Sequence, residues 1–413
     1  MPVIFFSTHR SRLLQLLWCF ALGVPLLAAS AAAQGQSAAQ QFKTLSEDAA
    51  KAGAESRLDD AAALYARALA LQPRWADGWW ALGTLEYEQD RYGQAAAAFE
   101  QLVRLQPKNG TARAMLGLCQ FQLGNDAAAL NNLIAAKHLG VLNDAQLQKV
   151  TLYHAAILQL RAGRFGDAQE NLKLLLDAGT ENPELALLLG QAALKVRPAT
   201  VAPPGSEGHN VLLRVGRAEW LKYKKQFAAG KEEYASVVRE HPDYPNLHFA
   251  YGRFLLDASE PEAAVGEFAA DLKANPDNVS ALLEIAAVKY RTDSAEGIPY
   301  AERALAINPQ HPFAHYLLGL LLLDTGQAEK AVPHLEAARK TFSGEAKVYF
   351  ALGNAYAKVG RKEDAAKARA EFVRLNKAGS ANAETGSTVY DEEPAGILSR
   401  KLGEENSGTP APH

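Results

Sequence analysis

A small residue, a second small residue twelve positions on, and a large residue four further recur along most of this 413-residue chain. The first series is Ala49, Gly83, Gly117, Ala156, Gly190, Ala218, Gly252, Ala286, Gly319 and Gly353, with gaps of 34, 34, 39, 34, 28, 34, 34, 33 and 34. The second is Ala61, Ala95, Ala129, Ala168, Gly230, Ala264, Ala331 and Ala365, and the large residues are Tyr65, Phe99, Leu133, Leu172, Tyr234, Phe268 and Leu335. Pro73, Pro107, Pro242, Pro276 and Pro309 punctuate the units. Each period therefore predicts two antiparallel helices, the proline stopping the second because it has no N–H to donate. A glycine inside a helix costs about 1 kcal/mol relative to alanine, so its return at one position needs a packing reason. Close approach of two helices at the small residue supplies it, with Phe99 or Tyr65 filling the space beside the crossing. One such pair cannot bury its own apolar face, so neighbours must stack.

These letters resemble the tetratricopeptide repeat, whose signature is a Trp, Leu-Gly and Tyr in the first helix followed by Ala, Phe and Pro at fixed offsets. Trp79, Leu82, Gly83, Ala95, Phe99 and Pro107 carry the match, with the aromatic one place late at Tyr87. The span His248 to Pro276 repeats it through Tyr251, Gly252, Ala264 and Phe268. The resemblance implies an all-α, right-handed α-solenoid of about nine helix-turn-helix units over residues 42–377.

Two gaps depart from the period. The 39-residue gap places about five extra residues around Gly140 to Ala145 and reads as a lengthened loop. The 28-residue gap follows a first helix at 183–195, where Pro198, Pro203, Pro204 and Gly205 forbid a second helix. Residues 196–209 read either as a tolerated surface insertion or as a flexible junction between an N-terminal array (42–195) and a C-terminal array (210–377).

The chain ends read differently. Arg10 and Arg12 precede an apolar run from Leu13 to Ala29, and Ala31, Ala32 and Ala33 precede Gln34. That is the order of a signal peptide, predicting cleavage after Ala33 and a periplasmic or secreted protein. The alternative is an uncleaved inner-membrane anchor, the run being near the lower length limit for a span. Cys19 has no small residue just before it, which argues against lipidation. Residues 378–413 are rich in Gly, Ser, Glu and Pro and read as a disordered tail, with Tyr390 to Leu402 a candidate docking motif; Glu363 to Lys377 is left to cap the array.

Composition agrees with close-packed helices, since alanine alone accounts for 78 residues. Lys+Arg 43 against Asp+Glu 46 removes the footprint of a nucleic-acid binder. After loss of residues 1–33 the formal charge becomes −5 and Cys119 is the remaining thiol, read as a small core residue.

Binding is expected on the first helices. Family geometry lines a concave groove with Trp80, Tyr87, Phe121 and Tyr153 in the first half, and with Phe249, Arg253, Tyr290, Tyr316, Phe350, Asn354 and Lys358 in the second. Aromatics and Arg on a rigid groove anchor peptides. Lys347, Asn354 and Lys358 suggest a carboxylate clamp, but neighbouring units lack matching polar residues. The sequence has no G-x-S-x-G, Walker loop, H-E-x-x-H or Cys pair, so neither catalysis nor a cofactor is expected. His311 and His315 are four apart without a third ligand, and Pro312 puts His311 at the helix start. Asn109-Gly-Thr111 and Asn278-Val-Ser280 match a glycosylation pattern by chance. The expected function is a non-catalytic scaffold in the cell envelope holding a protein or peptide partner. The rivals are a membrane-anchored assembly factor of the same fold and a carbohydrate-binding or enzymatic protein without a recognisable motif.

Overall fold

The computed structural model describes residues 32–381 apart from 142, 143 and 181. The apolar run 13–29, and the tail beyond Ala381, lie outside the described residues. The described residues form two compact units, one within 32–159 with 178–180, the other of 160–177 with 182–381. Among the described residues every regular element is a helix, α1 to α19 in chain order, save a 3-10 turn at Pro198–Thr200.

The first unit contains three packed pairs: α1 (Ala32–Ala54) on α2 (Leu58–Leu71), α3 (Ala76–Glu88) on α4 (Tyr92–Leu105), and α5 (Gly110–Gln122) on α6 (Asp126–Leu139). Helix α7 (Ala145–Ala162) follows and runs across the division. The second unit contains α8 (Phe165–Asp177) and α9 (Pro183–Ala193), then five packed pairs. These are α10 (Glu207–Tyr223) with α11 (Phe227–Glu240), α12 (Leu247–Asp257) with α13 (Pro261–Ala274), and α14 (Val279–Thr292) with α15 (Ser294–Ile307). The last two are α16 (Pro312–Asp324) with α17 (Ala328–Thr341), and α18 (Ala346–Lys358) with α19 (Lys362–Ala381).

The expected crossing is present. A Cβ built on Gly83 would lie 2.9 Å from the Phe99 ring, one on Gly252 2.5 Å from Phe268, and one on Gly319 2.6 Å from Leu335. Phe99, Phe268 and Leu335 are fully buried there, each contributing about 1.5–3 kcal/mol of apolar transfer. The turn inside each described pair except α14–α15, where Asp293 links the helices in extended backbone, closes by the same device. Asn125 N–H donates to Gln120 O (2.9 Å), Glu260 N–H to Leu255 O (2.9 Å) and Gln327 N–H to Leu322 O (2.7 Å). This six-to-one closure requires a left-handed residue before it, met by Gly326 (φ 78°) and less comfortably by Ser259 (φ 62°). Turns between pairs end in caps: the side-chain oxygen of Asn109 accepts the Ala112 N–H (2.9 Å) and that of Asn278 the Ala281 N–H (3.2 Å).

Both departures from the period have physical explanations. The extra residues of the 39-residue gap do not simply lengthen a loop, because α7 has 18 residues against 13 in α3 and α5. Asp144 caps it by accepting the Leu147 N–H (2.9 Å), and Leu147 and Val150 pack on the core around Leu133 and Leu158, so the inserted turn is helical. The 28-residue gap omits a second helix. Instead α9 packs directly on α10, where a Cβ on Gly190 would meet Leu212 O at 1.9 Å and one on Gly216 would meet Ala186 O at 1.6 Å. The segment 196–209 thus joins two helices in backbone contact within the second unit, and the division by contacts falls at 159/160. At the other end, α19 continues to Ala381, four residues past the expected end of the pattern.

Two glycines of the second unit should respond oppositely to alanine. Gly216→Ala drives a methyl into a backbone carbonyl and should cost about 1–3 kcal/mol. Gly266, on α13 with nothing within 4 Å of its Cβ position, should gain about 0.5–1 kcal/mol through helix propensity. Urea midpoints moving in the same direction would contradict this packing.

Candidate functional site

The first helices carry the expected binding residues at fixed offsets from the crossing residue. Trp80, Tyr153, Phe249, Tyr316 and Phe350 lie three before it, and Tyr87, Phe121 and Tyr290 four after it. A separation of seven places both sets on one stripe of a helix.

In the first unit this stripe is half-buried. Trp80 packs edge-on against Phe99 (centroids 5.6 Å, 64°), and Tyr87 against Tyr92 (5.4 Å, 73°). Burial pushes the Tyr87 phenol well above its ordinary range. Phe121 and Tyr153 both meet the His154 imidazole edge-on, at 4.7 and 5.5 Å. Trp80, Tyr87 and Phe121 therefore join helix to helix as well as presenting partial surface, while Tyr153 meets its own neighbour on α7. Cys119 behind them is fully buried, its thiol pushed up to about 12 by burial, which leaves it a core residue.

In the second unit, α14, α16 and α18 converge on a concavity of about 360 Å³. It brings together five of the expected residues: Tyr290, Tyr316, Phe350, Asn354 and Lys358. Lys358 Nζ also donates to Leu323 O (3.1 Å). Four further residues, Leu320, Leu323, Asp324 and Lys347, complete most of the wall. Leu320 and Asp324 occupy the same offsets as Asn354 and Lys358, so the register held their signal, but a Leu amid Leu318 to Leu323 reads as core.

Phe249 and Arg253 stand apart from this concavity. Phe249 is 7% exposed, against Phe268 (5.7 Å) and under the Lys195 ammonium (4.7 Å to the ring centroid), so it serves packing rather than an open contact. Arg253 pairs with Glu284, a buried acid inside the apolar run of α14. Nearby, Lys222 Nζ bridges Glu219 (2.5 Å) and Asp257 (3.0 Å), and the Tyr234 hydroxyl donates to Glu219 (2.7 Å). Burial alone would lower the Lys222 pKa, but the two carboxylates outweigh it and hold the pKa above its usual value. Glu219 and Glu284 are buried acids satisfied by these cations, and the Arg253 side chain itself stays 47% exposed.

The histidines have local roles. His311 caps α16, its Nδ1 accepting the Ala314 N–H (3.3 Å). His315 Nε2 lies 3.0 Å from Pro309 O and its Nδ1 3.0 Å from His334 Nδ1. A carbonyl can only accept, so His315 Nε2 carries the proton and its Nδ1 accepts from His334. Among the described residues no group of three or more His, Cys, Asp or Glu could hold a metal ion. Among the same residues no helix is long and apolar enough to cross a membrane.

A family model described as Tetratricopeptide repeat matches residues 49–96, 81–136, 221–279, 287–346 and 316–383, together more than half of the chain. The chain belongs to the tetratricopeptide repeat family. No curated protein matches the sequence. Three solved structures illustrate the likeness. MamA from Desulfovibrio magneticus RS-1 is 22% identical, with 42% of this chain and 96% of that one covered (TM-score 0.37). A tetratricopeptide repeat protein from Parabacteroides merdae is 13% identical over 76% and 99% (0.31). The APC/C hetero-tetramer Cut9–Hcn1 is 12% identical over 83% and 88% (0.34). Scores this low carry no argument about function. As a tetratricopeptide repeat protein the chain is an α-solenoid scaffold for protein–protein interaction, a fold that is generally non-catalytic.

The histidine pair generates a pH prediction. Burial first, and His315 second, lower the His334 pKa below its ordinary value. The unfolded chain then takes up this proton more readily, so the stabilisation is present above about pH 6.5 and is lost as pH falls through the folded pKa. His248 has the opposite sign, its hydrogen bond to Glu267 raising its pKa. NMR titration should put His334 below and His248 above free histidine, and His334→Gln should flatten the loss of stability between pH 7 and 5. Both imidazoles titrating alike would refute the assignment.

Proposed function

We propose that this protein is an exported, non-catalytic scaffold that holds a segment of a protein partner on the first-helix faces of its repeats in the cell envelope. The observation that carries the reading is the convergence of Tyr290, Phe350, Asn354 and Lys358 on one concavity, with Tyr316, 3% exposed, packed in its floor. Its wall combines apolar surface for affinity with an amide and cations for orientation, the mixture that recognises an extended peptide. A groove built on packed helices spends little free energy on ordering itself, so a few anchors suffice. Export is supported by the order of Arg10, Arg12, the apolar run and Ala31 to Ala33.

The test is site-specific crosslinking in living cells from a photoreactive residue at position 354, with adducts identified in the envelope fraction. Discrete protein adducts are expected there. Phe350→Ala with Tyr290→Ala should cut their yield at least tenfold at unchanged helicity. Equal capture by the doubly substituted protein, or adducts confined to the cytosol, would sink the reading.

A further inference from the structure

One offset of the array is covered everywhere in the second unit except at its end. Three residues before the crossing stand Phe249, Tyr316 and Phe350. Phe249 shares a core with Ala281 and Ile285 of the following first helix, α14, and Tyr316 with Val348 and Ala351 of α18. They are 7% and 3% exposed, whereas Phe350 is 47% exposed. Among the described residues no first helix comes after α18, and Phe350 meets only the Phe372 ring of α19 in an aromatic contact (5.5 Å). A solenoid end that leaves a large apolar side chain open calls for a cap.

The open face also has a charge. Lys358 is exposed beside Phe350 in the concavity, with one acid, Asp324, in the wall, while Lys347 below is 7% exposed and already engaged. The chain beyond α19 carries a segment complementary to it. Tyr390-Asp-Glu-Glu-Pro-Ala-Gly-Ile-Leu398 holds three acids, no base and three large apolar residues. The reach is sufficient. Helix α19 turns back along α18 and has 20 residues against 13, so Ala381 lies beyond the Lys347 end of α18. Residues 382–390 can span up to about 30 Å, more than the length of α18, about 20 Å.

We infer that the segment Tyr390–Leu398 docks on this concavity within the same chain, its carboxylates toward Lys358 and its apolar residues over Phe350 and Leu320. The inference rests on the groove reading above, because the segment occupies the face offered to a partner. A connection this short gives an effective concentration on the order of 1 mM, so a segment with a Kd of about 1 mM half-fills the site. An outside partner must then bind well enough to displace it.

The full chain carrying a benzophenone amino acid at position 397 tests this. Irradiation should join position 397 to peptides of α16 or α18 within a product of monomer mass. Reversing the tail with Asp391→Lys, Glu392→Lys and Glu393→Lys leaves the helices untouched and should cut that yield at least fivefold. Adding Lys358→Glu to the reversed tail should restore it. Adducts of dimer mass would give the face to a second copy and overturn the inference. Adducts scattered over the second helices, or a yield indifferent to the tail charges, would overturn it as well. Partner capture at position 354 surviving such a result leaves the groove reading standing while the docked tail falls; loss of both removes both.

Discussion

Everything in this chain depends on how closely two helices can approach at a residue without a side chain. Where the first helix offers Gly83, Gly117, Gly252 or Gly319, the second helix inserts Phe99, Leu133, Phe268 or Leu335 sixteen residues later. The constant spacing comes from geometry, since the turn must return the second helix to the height of the hole. It also explains why alanine is so abundant without the protein being weakly packed. The small residues are half of an interlock whose other half is fully buried. The stored cost of each helical glycine, about 1 kcal/mol, is small beside the burial it permits.

The same constraint explains the irregularity near residue 200. Between α9 and α10 both surfaces are small, Gly190 facing the Leu212 carbonyl and Gly216 the Ala186 carbonyl. With no large residue to accommodate, backbone meets backbone, and a second helix between them would have no room. Pro198, Pro203 and Pro204 mark where that helix is missing. Their meaning could be read from the sequence only as far as the absence, because a proline-rich segment looks alike whether it joins separate bodies or two touching helices. The 39-residue gap was misleading for a related reason. A helix extended by one turn and a loop lengthened by four residues change the period equally. Asp144 and Leu147, which decide between them, form a cap signal that is weak without the core it packs on.

Periodicity located the first-helix stripe, and five expected residues meet in one concavity. Exposure along the stripe was not legible. Phe249 and Phe350 share residue type, offset and helix face, yet they differ because a following helix covers one and not the other. Aromatic identity therefore marks a surface between first helices, and only position in the array determines whether solvent or protein fills it. Family membership adds the fold and leaves this distinction to the structure.

Apolar stacking alone is non-directional, and neighbouring first helices rich in Ala and Leu could slide. In the second unit buried charge opposes this. Lys222 of α10 reaches Asp257 of α12, and Arg253 of α12 reaches Glu284 of α14, so two successive junctions each carry an ion pair anchored by a nearly inaccessible acid, Glu219 or Glu284. Such pairs add little net stability over apolar replacements, but losing Arg253 would leave the buried Glu284 uncompensated, at a cost below the roughly 3–5 kcal/mol of a fully buried pair because the arginine is half-exposed. Displacement of α12 along α14 would strand the buried Glu284, whereas α10 moving along α12 would part Lys222 from the half-exposed Asp257 and leave it on Glu219. Helices α10, α12 and α14 are thereby held in one register, and α14 is the first of the three that line the concavity.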